Sequence, residues 1–200
     1  MRSRALVLLS FVTAVAAAPG CTASRAFGRV VGSFFDAPKP VAKERRPARP
    51  DARLAVVWVG HATALVQIGD KVVLTDPVFT STVGQLSKRL VEPGIDPEDL
   101  PPVDAVVVSH MHFDHLSLGS LEKIEGKVRT LLLPTGGTAY LTDFGFPVVE
   151  LRPFQSWEKD GLRVTAVPIT HVGWRYGLDA AWADRSFTGY VIEHDGVKVY

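Results

Sequence analysis

One stretch of the chain decides the fold: residues 103–115, which read VDAVVVSHMHFDH. The apolar run before the first histidine predicts a strand covered on both faces. Three histidines and one aspartate follow within six positions, and their nitrogen and oxygen atoms are good ligands for divalent zinc. His110 and His112 project to one side of an extended segment and can hold one metal. Asp114 and His115 can then point to a second metal, as in two-metal hydrolytic sites.

This pattern, His-x-His-x-Asp-His after a hydrophobic strand, resembles the signature of the metallo-β-lactamase superfamily. Three other segments are similar to one branch of that superfamily. This branch holds N-acyl-phosphatidylethanolamine-hydrolysing phospholipase D and the bacterial ascorbate-phosphate lactonase-like proteins. The segments read WVGHAT at residues 58–63, LTDP at residues 74–77 and LPPVDA at residues 100–105.

The resemblance implies an α/β fold, an αββα sandwich in which two β-sheets face each other, with helices outside and the metals at one edge. It also implies the zinc ligands. His171 joins His110 and His112 on the first zinc ion, whereas Asp114 and His115 bind the second ion and act in catalysis. Manganese or iron in place of zinc stays open, because both also bind mixed histidine and carboxylate ligands.

Three further polar residues lie close to the implied site or to a turn. In this branch His61 lies in the first hairpin, where it contacts a ligand residue or the substrate. The alternative is a hydrogen-bonded structural histidine. Asp76 is predicted to orient a ligand histidine, the alternative being a cap of its turn. His194, beside a turn, is predicted to be exposed.

The implied activity is hydrolysis by a hydroxide that bridges two zinc ions. The branch favours a phosphodiester substrate, cleaved as by a phospholipase D, such as an N-acyl-phosphatidylethanolamine-like lipid. One alternative is a lactonase or another hydrolase of a small phosphorylated metabolite. A second alternative is a truncated, non-catalytic envelope lipoprotein that acts through binding.

The family pattern also includes an aspartate that bridges both metals and a last histidine on the second metal. In that pattern both come after a strand like the one predicted at residues 197–200, and the given sequence ends at Tyr200. Residues 54–200 are therefore expected to be a partial domain, the N-terminal half to two-thirds of the sandwich. In this interpretation the second metal has only two protein ligands.

Residues 1–20 predict a signal peptide. Arg2 and Arg4 precede an apolar run, residues 5–18, which is too short for a comfortable membrane span. Small residues before Cys21 predict lipidation of this cysteine, and hence an exported lipoprotein on the periplasmic face of a bacterial membrane. The alternative is ordinary cleavage a few residues earlier, which leaves Cys21 as a free thiol.

Residues 21–53 are predicted to be a lipid-anchored N-terminus followed by a linker rich in proline and basic residues. Such a segment has too little apolar surface to fold, which favours a solvated spacer. Contact of its basic side chains with anionic lipid headgroups is the alternative.

Composition excludes some classes of partner. The chain has 22 Lys+Arg against 21 Asp+Glu, a net charge of +1, which argues against nucleic-acid binding. Cys21 is the only cysteine, so no disulfide forms within the chain. The predicted partners are a small-molecule or phospholipid substrate and a membrane, and the oligomeric state is not readable.

The remaining pattern predicts many strands with few helices. A short helix is predicted to follow the histidines through Leu121, and Thr135 is predicted to cap a helix that stops at Gly145. Residues 77–102 are predicted to be a long irregular excursion. The predicted strands cover residues 55–59, 64–68, 71–75, 103–109, 130–133, 148–151, 162–167, 187–193 and 197–200.

Overall fold

The computed structural model describes residues 28, 31–32, 37–85, 87–171, 174–177, 179 and 186–200. The predicted signal peptide and the predicted lipid site at Cys21 lie outside these residues. Within the described ranges, no helix is both long and apolar enough to cross a bilayer.

Six strands form the larger sheet, in the order β1 (Leu54–Gly60), β2 (Thr63–Ile68), β3 (Lys71–Thr75), β6 (Ala105–Val107), β7 (Leu131–Pro134) and β8 (Val148–Leu151). The first three are antiparallel and joined by tight hairpins, whereas β3, β6, β7 and β8 run parallel. Parallel strands need crossover connections, so the irregular excursion and a helix lie between them.

Four antiparallel strands form a second sheet, in the order β12 (Val197–Val199), β11 (Gly189–His194), β10 (Leu162–Val167) and β9 (Ser156–Lys159). Two-residue turns at residues 69–70, 160–161 and 195–196 join neighbouring antiparallel strands. The sequence pattern does not predict β9, because only Trp157 of its four residues is apolar. A small separate ribbon pairs β4 (Thr82–Val83) with β5 (Ser87–Lys88).

The alternation of side chains along the larger sheet divides the core into two clusters. Val106 belongs to the cluster that packs against helix α1 (Leu118–Ile124), and Val107 belongs to the cluster between the two sheets. Both residues are buried, which confirms the prediction of a strand covered on both faces. The layers are therefore a helix, the larger sheet and the smaller sheet, and the α/β sandwich is confirmed.

The predicted helix between Thr135 and Gly145 is wrong. Only a short 3₁₀ helix, Gly137–Tyr140, occurs there, and it has no side-chain cap. Gly136 adopts a left-handed conformation with φ of 83°, which an α-helix does not accommodate. Two adjacent glycines also disfavour a helix, so the chain turns here and continues as a loop.

Residues 37–53, predicted to be a solvated spacer, instead contact the folded domain. The Lys39 backbone pairs with residues beside Val91 in a parallel bridge. The Lys43 ammonium lies 3.0 Å from the carboxylate of Asp96 and 2.7 Å from the carbonyl of Pro93. Hydrogen bonds and ion pairs hold this segment in place. The prediction of a solvated spacer considered only its low apolar content and therefore did not include such contacts.

The two sheets meet where the histidine-rich segment begins. The hydroxyl of the buried Tyr190 donates to the carbonyl of Val108 at 2.9 Å, and the amide of Thr188 donates to the carbonyl of Ser109 at 2.8 Å. His110 then forms an isolated antiparallel bridge with Phe187. These bonds fix the edge of the sandwich from which the side chains of the site project.

Candidate metal centre

The histidine-rich segment folds as a compact turn directly after β6. The amides of His115 and Leu116 both donate to the carbonyl of His112, at 3.1 and 2.9 Å. The buried guanidinium of Arg175 donates to the carbonyls of Met111 and Leu116, at 2.9 and 3.0 Å. These bonds close the turn and hold the side chains of the histidine-rich segment in one arrangement.

Arg175 was not among the residues singled out from the sequence. It is only 4% exposed, and its guanidinium lies 4.1 Å from the ring centre of Phe113, in a cation–π contact. Its hydrogen-bond partners are 59 and 64 positions away in the chain. No local pattern indicates contacts over such a distance.

The structure brings together the three histidines expected on the first metal. One ring nitrogen each of His110, His112 and His171 lies within 4.8 Å of the others. The Nε2 atom of His110 lies 2.9 Å from Nδ1 of His112, and the rings of His110 and His171 are 4.2 Å apart between centres. A set of three imidazoles is a common ligand set for zinc.

A second cluster lies beside the first and contains His61 together with Asp114 and His115. Their donor atoms also lie within 4.8 Å of one another. Oδ2 of Asp114 is 3.0 Å from Nε2 of His61 and 3.6 Å from Nε2 of His115. The rings of His110 and His115, one from each cluster, are 4.0 Å apart between centres, so the two clusters are adjacent.

Asp76 lies behind both clusters. Its carboxylate accepts hydrogen bonds from Nδ1 of His115 at 2.9 Å and from the amide of Ser109 at 2.6 Å. The Ser109 hydroxyl, 2.7 Å from the same carboxylate, is also 2.9 Å from Nδ1 of His110. If the hydroxyl donates to the carboxylate, it accepts from His110. Both histidines then direct Nε2 lone pairs to the site.

The histidines of the site have shifted pKa values. Burial, followed by the proximity of His115, His171 and His112, lowers the pKa of His110 from 6.5 to about 2. Burial also lowers the pKa of His112. For His115 burial acts in the same direction, but the hydrogen bond and charge of Asp76 outweigh it and raise the pKa. His110 and His112 are thus neutral at pH 7, as metal ligands must be.

The donor atoms of the first cluster fit a metal ion. Nε2 of His110 and Nδ1 of His112 face each other at 2.9 Å. When both rings are neutral, at most one proton fits between these two nitrogens, so at least one of them presents a lone pair. A cation satisfies such converging lone pairs, so the residues present fit a divalent metal.

We expect acid to destabilise the metal-free protein through His110. Below pH 6.5 the unfolded chain binds a proton at this residue, whereas the folded protein excludes it until about pH 2. Stability is therefore lost as the pH falls below 6.5, by about 2 kcal/mol between pH 6.5 and pH 5. His115 adds little slope there, because a raised pKa leaves it protonated in both states over most of this window.

Urea unfolding of the EDTA-treated full-length gene product at both pH values measures this loss. The matched variant is His110→Asn, whose free energy of unfolding should fall by about 2 kcal/mol less over the same interval. An identical fall in both proteins would contradict the expected role of His110.

A mostly apolar groove of about 660 Å³ begins at His61. Leu90 and Trp58 both line it, and 63% and 73% of their surface is exposed. The groove therefore offers an apolar surface beside the polar donor clusters. Its apolar lining includes Val41, Trp58, Val59, Val83, Leu90 and Val91.

His194 differs from its prediction. It was expected to be exposed, but only 16% of its side chain is exposed, and its ring lies between the carbonyl of Gly161 at 2.9 Å and the carboxylate of Asp70 at 3.0 Å. It joins the turns of two hairpins and belongs to neither donor cluster.

The chain resembles known proteins over most of its length. Residues 71–200 match the family model of the β-lactamase superfamily domain. An uncharacterized protein of Mycobacterium tuberculosis is 38% identical over 163 residues, which cover 76% of this chain and 44% of that protein. The N-acyl-phosphatidylethanolamine-hydrolyzing phospholipase D 1 of Caenorhabditis elegans is 34% identical over 143 residues, 62% of this chain and 40% of that protein.

Among solved structures, the isothiocyanate hydrolase from Delia radicum gut bacteria superposes with a TM-score of 0.53 and 22% identity. The match covers 70% of this chain and 58% of that protein, and it supports the fold. The chain thus spans less than half the length of the two curated relatives described above.

Proposed function

Because this chain belongs to the β-lactamase superfamily domain family, we propose that it is part of a metal-dependent hydrolase. The observation that carries the proposal is the pair of adjacent donor clusters, one with three histidines and one containing Asp114 and His115. The rings of His110 and His115, one from each cluster, are in contact, so the two clusters lie side by side as the ligands of a two-metal hydrolytic site do.

We propose zinc as the metal. His110, His112 and His171 would hold the first ion, and Asp114 and His115 would hold the second. When bound, the two ions supply an activated water at neutral pH and offset the negative charge that develops on the substrate.

The protein's own contribution is orientation. Asp76 accepts from Nδ1 of His115 and leaves Nε2 of that ring free to face Asp114. Ser109 extends the same influence to His110. One buried carboxylate thereby sets the tautomers of a ligand in each cluster.

We propose a phosphodiester with an apolar tail as the substrate, cleaved as by a phospholipase D. The apolar groove beside His61 supports this choice, because burial of an alkyl chain there removes both the chain and the exposed Leu90 from water. The name of the Caenorhabditis elegans relative supports the same class. Lipidation at Cys21, if present, would place the enzyme next to such substrates.

We expect Leu90→Ser to impair only the hydrolysis of long-chain substrates. Losing about 1 to 1.4 kcal/mol of apolar contact should lower kcat/KM about 5- to 10-fold for N-acyl-phosphatidylethanolamine in mixed micelles. Hydrolysis of the water-soluble bis(p-nitrophenyl) phosphate should be unchanged, because it has no tail to place in the groove. Both rates are measured with the full-length gene product.

Phe154→Ser is the matched control, because Phe154 is an exposed apolar residue that does not line the groove. Equal losses in both variants would contradict the groove as a tail site. Hydrolysis of a panel of lactones, without hydrolysis of either phosphodiester, would favour the lactonase alternative.

A further inference from the structure

We propose that Arg175 is a positioning residue, which brings His171 to the first metal by holding the segment that carries this ligand against the histidine-rich turn. The inference rests on the proposed metal-dependent function and extends it to a residue that belongs to neither donor cluster. The effect of Arg175 is on the place of His171 rather than on the chemistry of the metal.

The first argument is that His171 reaches the first cluster from a different part of the chain than its two partners. The strand before it ends at Val167, whose carbonyl accepts from the hydroxyl of Thr188 at 2.9 Å. Four residues span up to about 14 Å, so a chain fixed only at Val167 could place His171 far from His110. A second fixed point removes this freedom, and Arg175 follows His171 by four positions.

The second argument is the contact between Arg175 and the histidine-rich turn. One atom of the guanidinium, Nη1, donates to the carbonyls of both Met111 and Leu116, at 2.9 and 3.0 Å. These carbonyls lie on either side of His112 in the chain, and the guanidinium also lies 4.1 Å from the ring centre of Phe113. Because the side chain is buried, water competes little for these bonds. The guanidinium is thus fixed to the turn that carries the other two ligands.

The third argument is that the backbone of Arg175 is fixed together with its side chain. The carboxylate of Asp179 accepts from the amide of Arg175 at 2.9 Å and from the amide of Tyr176 at 2.6 Å. Two bonds from successive amides to one carboxylate close a turn of the backbone. The anchor at the guanidinium therefore also limits the movement of the backbone that follows His171.

The residues on each side of Arg175 contact the histidine-rich turn as well. The ring centre of Trp174 lies 5.2 Å from that of His112, and the ring centre of Tyr176 lies 5.4 Å from that of Phe113, both in edge-to-face geometry. Such aromatic pairs add to the contact made by the guanidinium. Three consecutive residues after His171 thus lie against the turn that provides the other ligands.

Cobalt(II) titration of the full-length gene product, after removal of metal with a chelator, tests the proposal. The wild-type protein should bind two ions per chain, and the first ion is the one that His112→Ala removes. Arg175→Met should weaken this first ion about 10- to 100-fold, the typical cost of losing a residue that orients a ligand, and leave the affinity for the second unchanged. The matched control is Arg163→Met, which removes an exposed arginine paired with Glu158 and should bind both ions as the wild type does.

A double-mutant cycle with His171→Ala separates positioning of this ligand from general support of the fold. If Arg175 acts through His171, removing the guanidinium from a protein that already lacks the imidazole should cost no further affinity for the first ion. The double variant should therefore match His171→Ala alone. An arginine with only a structural role would weaken binding by the same factor with or without His171.

A second variant, Arg175→Lys, keeps the positive charge but loses the planar group that stacks on Phe113, and it replaces Arg175→Met in the cycle if the latter does not fold. It should show a smaller loss of the first ion, which is again absent without His171. Three results would overturn the proposal: multiplied losses in the double variant, equal weakening of both ions, or no loss in either arginine variant. Failure of the wild-type protein to bind any cobalt would instead overturn the proposed metal-dependent function.

Discussion

His112→Ala is expected to remove one metal ion per chain and to lower hydrolysis more than about 100-fold. Nδ1 of this imidazole faces Nε2 of His110 at 2.9 Å. Losing a ligand should cost more than losing a residue that only orients one, for which about 10- to 100-fold is typical. Metal content by mass spectrometry and phosphodiester hydrolysis, both on the full-length gene product, measure the two losses.

His194→Ala is the control for this prediction, because it removes a histidine that bridges two hairpins at a distance from both clusters. Its metal content and rate should equal those of the wild type. Wild-type activity in His112→Ala would refute the assignment of this residue to the first metal. A wild-type protein that binds metal without hydrolysing any substrate would favour the non-catalytic alternative.

Asp76→Asn is expected to weaken metal binding about 10- to 100-fold, because the side chain keeps its shape but loses the charge that orients His115. Asp76→Ala should also reduce the free energy of unfolding by about 3 kcal/mol. Truncation leaves the amide of Ser109 and Nδ1 of His115 without their acceptor, and bonds to a charged group are worth about 1.5–3 kcal/mol each. Cobalt titration and urea unfolding measure the two effects.

Asp70→Asn provides the comparison for Asp76→Asn, since Asp70 also contacts a histidine but is 73% exposed in its side chain. An exposed ion pair contributes little to stability, and this aspartate contacts neither cluster. Equal cobalt affinity in the two variants would show that Asp76 does not orient the metal ligands.

Local patterns were sufficient for most of the strands and for most of the site. The parallel strand β6 and the turn after it follow from an apolar run and closely spaced donors, and the hairpins follow from Gly-Asp, Asp-Gly and Asp-Gly turns. Patterns failed where contacts outweigh propensity. Residues 37–53 lack apolar surface but are held by Lys43 and its acidic partners, and the loop after Thr135 follows a left-handed Gly136.

The sequence by itself determined the identities of the candidate metal donors and the order in which His110, His112, Asp114 and His115 leave one strand, because neighbours in the chain are neighbours in space. Only the tertiary structure decided which distant residues join them. His61 reaches Asp114 across 53 positions, and Arg175 reaches Met111 across 64. Such contacts depend on how hairpins and sheets pack against each other, and packing is a property of the whole core rather than of any local pattern.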